Sequence, residues 1–177
     1  MMHIHKLKKY YFINEFNQNH LINLNKNISF IWRNKDKETP INTLIKLRDF
    51  CKKNQRNFYI SNNVKLAERI KANGVYISSS NKNLNLRTNK FKKKFKILGS
   101  AHNLKEIKIK ELQNIEEIFL SPLFKEKTNQ QLNIYRYLKL RKITKMKDIS
   151  LGGINKRNIK KLNMIKHFGF AGITYFE

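Results

Sequence analysis

The stretch Asn57 to Ile77, NFYISNNVKLAERIKANGVYI, holds two short apolar runs with a segment of helical spacing between them. Asn57–Ile60 and Gly74–Ile77 are bounded by Asn or Gly and carry aromatic and β-branched residues, the pattern of buried strands. Between them, Asn63–Ala72 repeats Val64, Ala67 and Ile70, which puts one apolar stripe on a helix. The unit is strand, helix, strand, the building block of α/β folds.

The same alternation runs outward in both directions. Toward the amino end it predicts strands at Tyr10–Asn14 and Ile28–Arg33, then a helix at Ile41–Asn54 that starts after Pro40 and repeats Leu44, Leu47 and Cys51. Toward the carboxyl end it predicts strands at Lys96–Gly99, Glu117–Ser121, Asp148–Gly152 and Gly172–Phe176, with helices at Asn103–Leu112, Gln131–Ile143 and Lys156–His167. Glu15–Lys26 and Lys82–Thr88 carry weaker helical patterns. Strands alternating with helices eight times are the order of a (β/α)₈ TIM-type barrel. A unit of about 6 strand, 11 helix and 5 loop residues taken eight times needs roughly 176 residues. The chain has 177, so one barrel domain over residues 1–177 closes only with minimal loops, and the expectation is seven helices at most, without the eighth. The alternative is an open doubly wound sheet, against which no glycine-rich phosphate turn follows the first strand.

With 40% apolar and 11% aromatic residues the chain can build a core and is no disordered basic tail. No apolar run reaches the roughly 18 residues a membrane span needs, so a cytoplasmic protein is expected. A single cysteine, Cys51, excludes an internal disulfide and a thiolate-rich zinc site, and its expected place is buried or half-buried on a helix. The net charge is +26. Lys, Asn and Ile dominate while Ala and Val are scarce, a bias that spreads Lys over solvated faces without a polyanion partner. The densest cluster, Lys90, Lys92, Lys93, Lys94 and Lys96 with Phe91 and Phe95, could track nucleic-acid phosphates and stack bases, or could be the approach to a strand with the Phe rings inward. No nucleic-acid-binding signature accompanies it.

Eight segments lie in order at the ends of the predicted strands: YFIN at Tyr11–Asn14, IWRNK at Ile31–Lys35, ISNNVKLA at Ile60–Ala67, NGVYISSSNKNL at Asn73–Leu84, SAHNLKE at Ser100–Glu106, LSPLFKEKT at Leu120–Thr128, LGGIN at Leu151–Asn155 and GFAGI at Gly169–Ile173. Taken together they resemble the thiamine phosphate synthase and TenI family of barrels. The resemblance implies a site at the carboxyl ends of the strands, where a pyrimidine diphosphate ester joins a thiazole phosphate and diphosphate leaves. It assigns the diphosphate and pyrimidine side to Arg33, Lys35, Ser61, Asn62, Asn81 and Ser100. The thiazole phosphate side falls to Thr128, Gly152 and Gly153, whose bare backbone would let a phosphate approach N–H groups.

The departures from the family pattern carry as much weight. The two family Asp residues that hold magnesium are replaced by Asn62 and Asn81, the pyrimidine-contacting Asn by Ser61, and the lysine of the strand-six loop by Asn129. Two neutral ligands do not offset the dehydration that Mg²⁺ resists, so the magnesium expected of the family has no carboxylates to hold it. The Ile-Ser pair expected after strand eight falls on Phe176 and Glu177, and a carboxylate there would repel a phosphate. His102 stands one residue before a helix start and is expected to act as a cap neighbour, and His167 lies at a helix end where a cation suits the dipole. Neither is assigned chemistry. Two classes of function remain: an enzyme of thiamine biosynthesis, or a TenI-like barrel without chemistry that binds a phosphorylated ligand or, through its basic surface, nucleic acid.

Overall fold

The computed structural model describes residues 7–33, 39–86, 94–124, 132–165 and 167–177. Eight parallel strands close into a barrel in chain order: β1 (Lys8–Ile13), β2 (Ile28–Trp32), β3 (Phe58–Ser61), β4 (Gly74–Ile77), β5 (Lys96–Ala101), β6 (Glu117–Leu120), β7 (Lys147–Leu151) and β8 (Gly169–Gly172). The connections carry α1 (Gln18–Ile22), α2 (Ile41–Lys53), α3 (Val64–Arg69), α4 (Leu104–Leu112), α5 (Asn133–Ile143) and, before β8, a 3-10 segment at Ile159–Met164. β8 pairs with β1, Lys8 opposite Gly169 and Tyr11 opposite Gly172, so the sheet is closed and the architecture is the TIM-type (β/α)₈ barrel.

Side chains alternate across each strand and sort into two cores. Tyr10, Phe12, Ile31, Tyr59, Tyr76, Leu98, Phe119, Ile149 and Ala171 fill the barrel. Its rings pack edge to face, with Phe12 and Phe119 5.1 and 5.3 Å from Tyr76. Tyr11, Phe30, Phe58, Val75 and Ile118 point outward beneath Leu44, Leu47, Ala67, Ile107 and Leu140 of the helices. Cys51 is buried on α2 as expected, and burial pushes its thiol up to about 12. At the amino ends of the strands the buried Glu117 accepts from Lys8 Nζ and the Tyr10 hydroxyl, which closes the floor of the barrel with a satisfied charge.

Three expected elements differ. The last strand is Gly169–Gly172 rather than Gly172–Phe176. A Cβ at 169 would lie 2.4 Å from the Lys8 carbonyl oxygen, so glycine permits this register, and Phe176 turns back to pack 5.1 Å from Tyr11. Residues 82–86 form no helix. Asn81 and Asn83 each accept a hydrogen bond from the backbone N–H two residues on, and these turns hold the segment in a non-helical path. Among the described residues of Lys156–His167 only Ile159–Met164 is helical, and as 3-10 turns. His167 is therefore no helix-end cation. It is buried, its Nδ1 is 3.0 Å from the Gly169 carbonyl oxygen, and desolvation lowers its pKa against the pull of that bond and of Asp148.

His167 ends a buried polar chain behind β7. Tyr137 donates to Asp148 Oδ2 at 3.0 Å and lies 2.8 Å from Ser150 Oγ, which is 3.1 Å from His167 Nδ1. Arg141 Nε pairs with the same carboxylate oxygen at 3.2 Å. Replacing Tyr137 by Phe is expected to cost about 1–2 kcal/mol. The check is a lower urea midpoint at constant slope, and an unchanged midpoint would mean that Arg141 alone satisfies Asp148.

Of the basic cluster, Lys90, Phe91, Lys92 and Lys93 lie outside the described residues. Phe95 packs against the core and Lys96 opens β5 with its Nζ 3.7 Å from Glu117, as an approach to a strand would. Among the described residues no helix is long and apolar enough to cross a membrane.

Candidate functional site

The carboxyl ends of β2 to β7 surround a cavity of about 730 Å³. Arg33 follows β2, Ser61 ends β3 and leads into Asn62, Ser78, Ser79 and Ser80 follow β4, Ser100 belongs to β5, and His102 and Ser121 lie just past β5 and β6. Trp32, Ile60 and Tyr76 supply an apolar wall, and no Asp or Glu is among the described residues that line it. A neighbouring cavity of about 620 Å³ beside β1 shares Arg33 with the first, but carries Glu15, His20 and Glu177. Arg33 thus stands between a neutral, hydroxyl-rich chamber and an acidic one.

Local bonds set each group in place. Arg33 N donates to the Ile13 carbonyl at 2.8 Å, and the guanidinium lies 5.7 Å above the Phe12 ring. Beneath it, burial pushes the Tyr76 phenol up, partly offset by the Ser100 hydroxyl and the Arg33 charge. Asn62 sits at φ 57°, a left-handed turn that Asn tolerates. Its N–H donates to the Tyr76 carbonyl at 2.7 Å while its Oδ1 accepts from Ser78 N at 2.9 Å, which ties the ends of β3 and β4 together. Asn81 Nδ2 reaches the same Oδ1 at 3.5 Å, and Asn81 Oδ1 accepts from Asn83 N at 3.0 Å. Both side-chain oxygens therefore already face N–H donors.

His102 is placed by the start of α4. Asn103 caps that helix by accepting from Glu106 N at 3.0 Å, and Glu106 reaches back to accept from His102 N at 2.7 Å, a reciprocal capping arrangement. The ring then lies between two neighbours, Nδ1 2.7 Å from the Ser121 carbonyl oxygen and Nε2 2.9 Å from Ser79 Oγ. Because a carbonyl can only accept, Nδ1 carries the proton, and in the neutral ring Nε2 accepts from the Ser79 hydroxyl. The expected role as a cap neighbour is present, and the same residue also lines the cavity.

The loop after β4 rests on a buried clamp from α4. Lys110, wholly buried, donates 2.8 Å bonds to the carbonyls of Ser78 and Asn81 and to Gln113 Oε1. Gln113 Nε2 donates in turn to the carbonyls of Asn81 and Asn83 at 3.0 and 2.8 Å.

Of the residues expected at the site, Arg33, Ser61, Asn62 and Ser100 meet at this cavity. Asn81 does not line it, and reaches its wall through Asn62 Oδ1, 3.5 Å from Asn81 Nδ2, and through the Ser78 carbonyl, which accepts from Asn81 N at 3.1 Å. Gly152 and Gly153 follow Leu151 at the same end of the barrel, with φ of 97° and 66° that favour glycine, yet line neither cavity. The Gly153 carbonyl accepts from Asn158 Nδ2 at 2.7 Å. Lys35, Thr128 and Asn129 lie outside the described residues. Glu177 lines the acidic chamber, and Phe176 is buried in the core. Sequence reasoning assigned no site role to Ser78, Ser79, Ser80, His102 or Ser121. The run of three hydroxyls directly after a predicted strand was the available signal, whereas the meeting of His102 with Ser79 and Ser121 depends on barrel closure.

A closed parallel barrel with a polar cavity at its strand carboxyl ends defines a TIM-type protein, the class in which the βα loops line that mouth. The chain belongs to the thiamine monophosphate synthase family, whose model matches residues 23–176. It is 33% identical over 138 residues to a thiamine-phosphate synthase of Prochlorococcus marinus, a match that covers 73% of this chain but only 39% of that longer protein. It is 30% identical over 162 residues to the thiamine-phosphate synthase of Pelagibacter ubique, covering 87% of this chain and 77% of the relative. Among solved structures, a thiamine phosphate pyrophosphorylase from Pyrococcus furiosus superposes with a TM-score of 0.75 at 17% identity, over 95% of this chain and 86% of that one. An HpcH/HpaI aldolase from Desulfitobacterium hafniense reaches a TM-score of 0.67 at 10% identity, a likeness of fold alone.

Proposed function

We propose that this protein is a thiamine phosphate synthase-like transferase that takes a thiazole phosphate and a pyrimidine diphosphate at the carboxyl mouth of the barrel. The observation that carries this reading is the convergence of Arg33, Ser61, Asn62 and Ser100 on one cavity of a family member. In the reaction the thiazole ring nitrogen forms a bond to the pyrimidine's methylene carbon, the carbon–oxygen bond to diphosphate breaks, and its electron pair leaves on the diphosphate. The cavity's cation is well placed for that step: the backbone of Arg33 is fixed by its bond to Ile13, its guanidinium lies over the Phe12 ring, and its charge stabilises the departing oxygens. Ser61 and Ser100 offer hydroxyls to the pyrimidine side, with Tyr76 and Trp32 as apolar wall. Lys35, Thr128, Gly152 and Gly153 keep the anion-binding roles that the family pattern implies. A cytoplasmic setting suits the free Cys51.

The residues present do not fit a magnesium ion. Asn62 and Asn81 direct their amide oxygens at N–H donors, and no three His, Cys, Asp or Glu side chains gather as a ligand set among the described residues. The same observation favours a second reading, a barrel that keeps the ligand site and has lost the chemistry.

Purified protein supplied with both substrates separates the two. Thiamine phosphate formation is expected, with kcat/KM about 10²-fold lower in Arg33→Ala, as for loss of one preorganised electrostatic contact. Absence of product in the parent protein would leave the binding barrel.

A further inference from the structure

We propose that the cavity takes the phosphate or diphosphate of its ligand directly, on Arg33, Asn62 and the hydroxyls after β4, with no divalent cation between protein and anion. The inference rests on the reading above that this cavity is the phosphate-binding one. Three observations meet here. The first is charge: Arg33 is the permanent cation among the described lining residues and no carboxylate is among them, Glu15 and Glu177 lining the separate chamber beside β1, so an anion in this cavity meets attraction without a metal to mask acidic side chains.

The second is the orientation of Asn62. Its Oδ1 is occupied by Ser78 N at 2.9 Å and by Asn81 Nδ2 at 3.5 Å, so the end left to act is the amide nitrogen, a donor. A cation placed on that oxygen would face two N–H dipoles pointing at it. The third is the hydroxyl set. Ser78 Oγ and Ser80 Oγ lie 3.0 Å apart, so one hydroxyl of that pair keeps its proton free for an incoming oxygen, whereas Ser79 Oγ, 2.9 Å from His102 Nε2, gives its proton to the ring. The loop that presents them is held from beneath by Lys110, so the donors are in place before an anion arrives.

Calorimetric titration with inorganic pyrophosphate tests this, in one arm with a chelator and in the other with excess magnesium. Binding is expected in the chelator arm at least as tight as with magnesium, which also complexes pyrophosphate in solution. Arg33→Ala is expected to weaken it by about tenfold or more, the loss of one charge-assisted bond; this variant separates the cavity from diffuse attraction to surface lysines. Asn62→Asp keeps an acceptor for Ser78 N, and so the tie between β3 and β4, but adds a negative charge. It is expected to weaken binding in the chelator arm by a similar factor, with an unchanged melting temperature showing that it folds. Binding that requires magnesium would overturn this inference and leave the assigned cavity standing. Binding in neither arm, or binding indifferent to Arg33→Ala, would overturn the inference together with the phosphate-binding reading.

Discussion

Replacing Gly74 by Ala is expected to destabilise the barrel by about 3 kcal/mol, enough to lower the thermal midpoint by roughly 6–12 °C in a chain of this size. Gly74 opens β4 opposite Lys96 of β5. A Cβ built there would lie 2.0 Å from the Lys96 carbonyl oxygen and 2.8 and 2.9 Å from its carbonyl carbon and nitrogen. All three are backbone atoms of a paired strand, so no rotamer change relieves the clash and the β4–β5 ladder must open locally. Lys96 N also donates to the Asn73 carbonyl at 3.0 Å, so the displacement would strain that bond as well. In a closed barrel each strand has two neighbours, and a shift in one pair is passed to the next. A calorimetric scan of the variant beside the parent is the check, and an unchanged midpoint would mean that β4 and β5 separate there without cost.

Lys110→Met is expected to cost a comparable amount, about 3 kcal/mol, by a different route. The methionine fills most of the volume but leaves the Ser78 carbonyl and Gln113 Oε1 without the donor they have now. Amide hydrogen exchange across residues 78–83 should rise with the fall in stability, because the clamp holds that loop in particular. Lys110 also carries a pH signature. Burial takes its ammonium down to about 8 from the ordinary 10.5, opposed by Glu106. The folded chain thus releases this proton near pH 8 and the unfolded chain only near 10.5. The penalty of burying the charge is full below pH 8 and is relieved as pH rises through the window, so the parent's stability gains relative to the variant's between those values. Urea titrations of both proteins at several pH values read that difference, and parallel curves across the window would show that Lys110 does not titrate there.

Much of the architecture was legible in the residues because it depends on local periodicity. The period of two in Tyr10, Phe12 and their counterparts, and the three- and four-residue spacing of Leu44, Leu47 and Cys51, each follow from the geometry of a single element. Eight repeats in order then leave few ways to bury every strand. Arg33, Ser61, Asn62 and Ser100 were legible by another route, the family resemblance that assigned them, and their positions at the carboxyl ends of parallel strands bring them to the common mouth.

What only the tertiary structure decided are contacts between residues far apart in the chain. The run GFAGITYF alternates small and apolar residues in more than one register, and the approach that only Gly169 allows beside Lys8 selects the strand. That Asn62 spends its oxygen on the Ser78 N–H, that Lys110 lies under the loop of Ser78, and that His102 joins Ser79 to Ser121 all depend on β3, β4, β5 and β6 being brought side by side. Periodicity states which face of an element is buried, whereas the partner of each polar atom is set by the closure of the barrel.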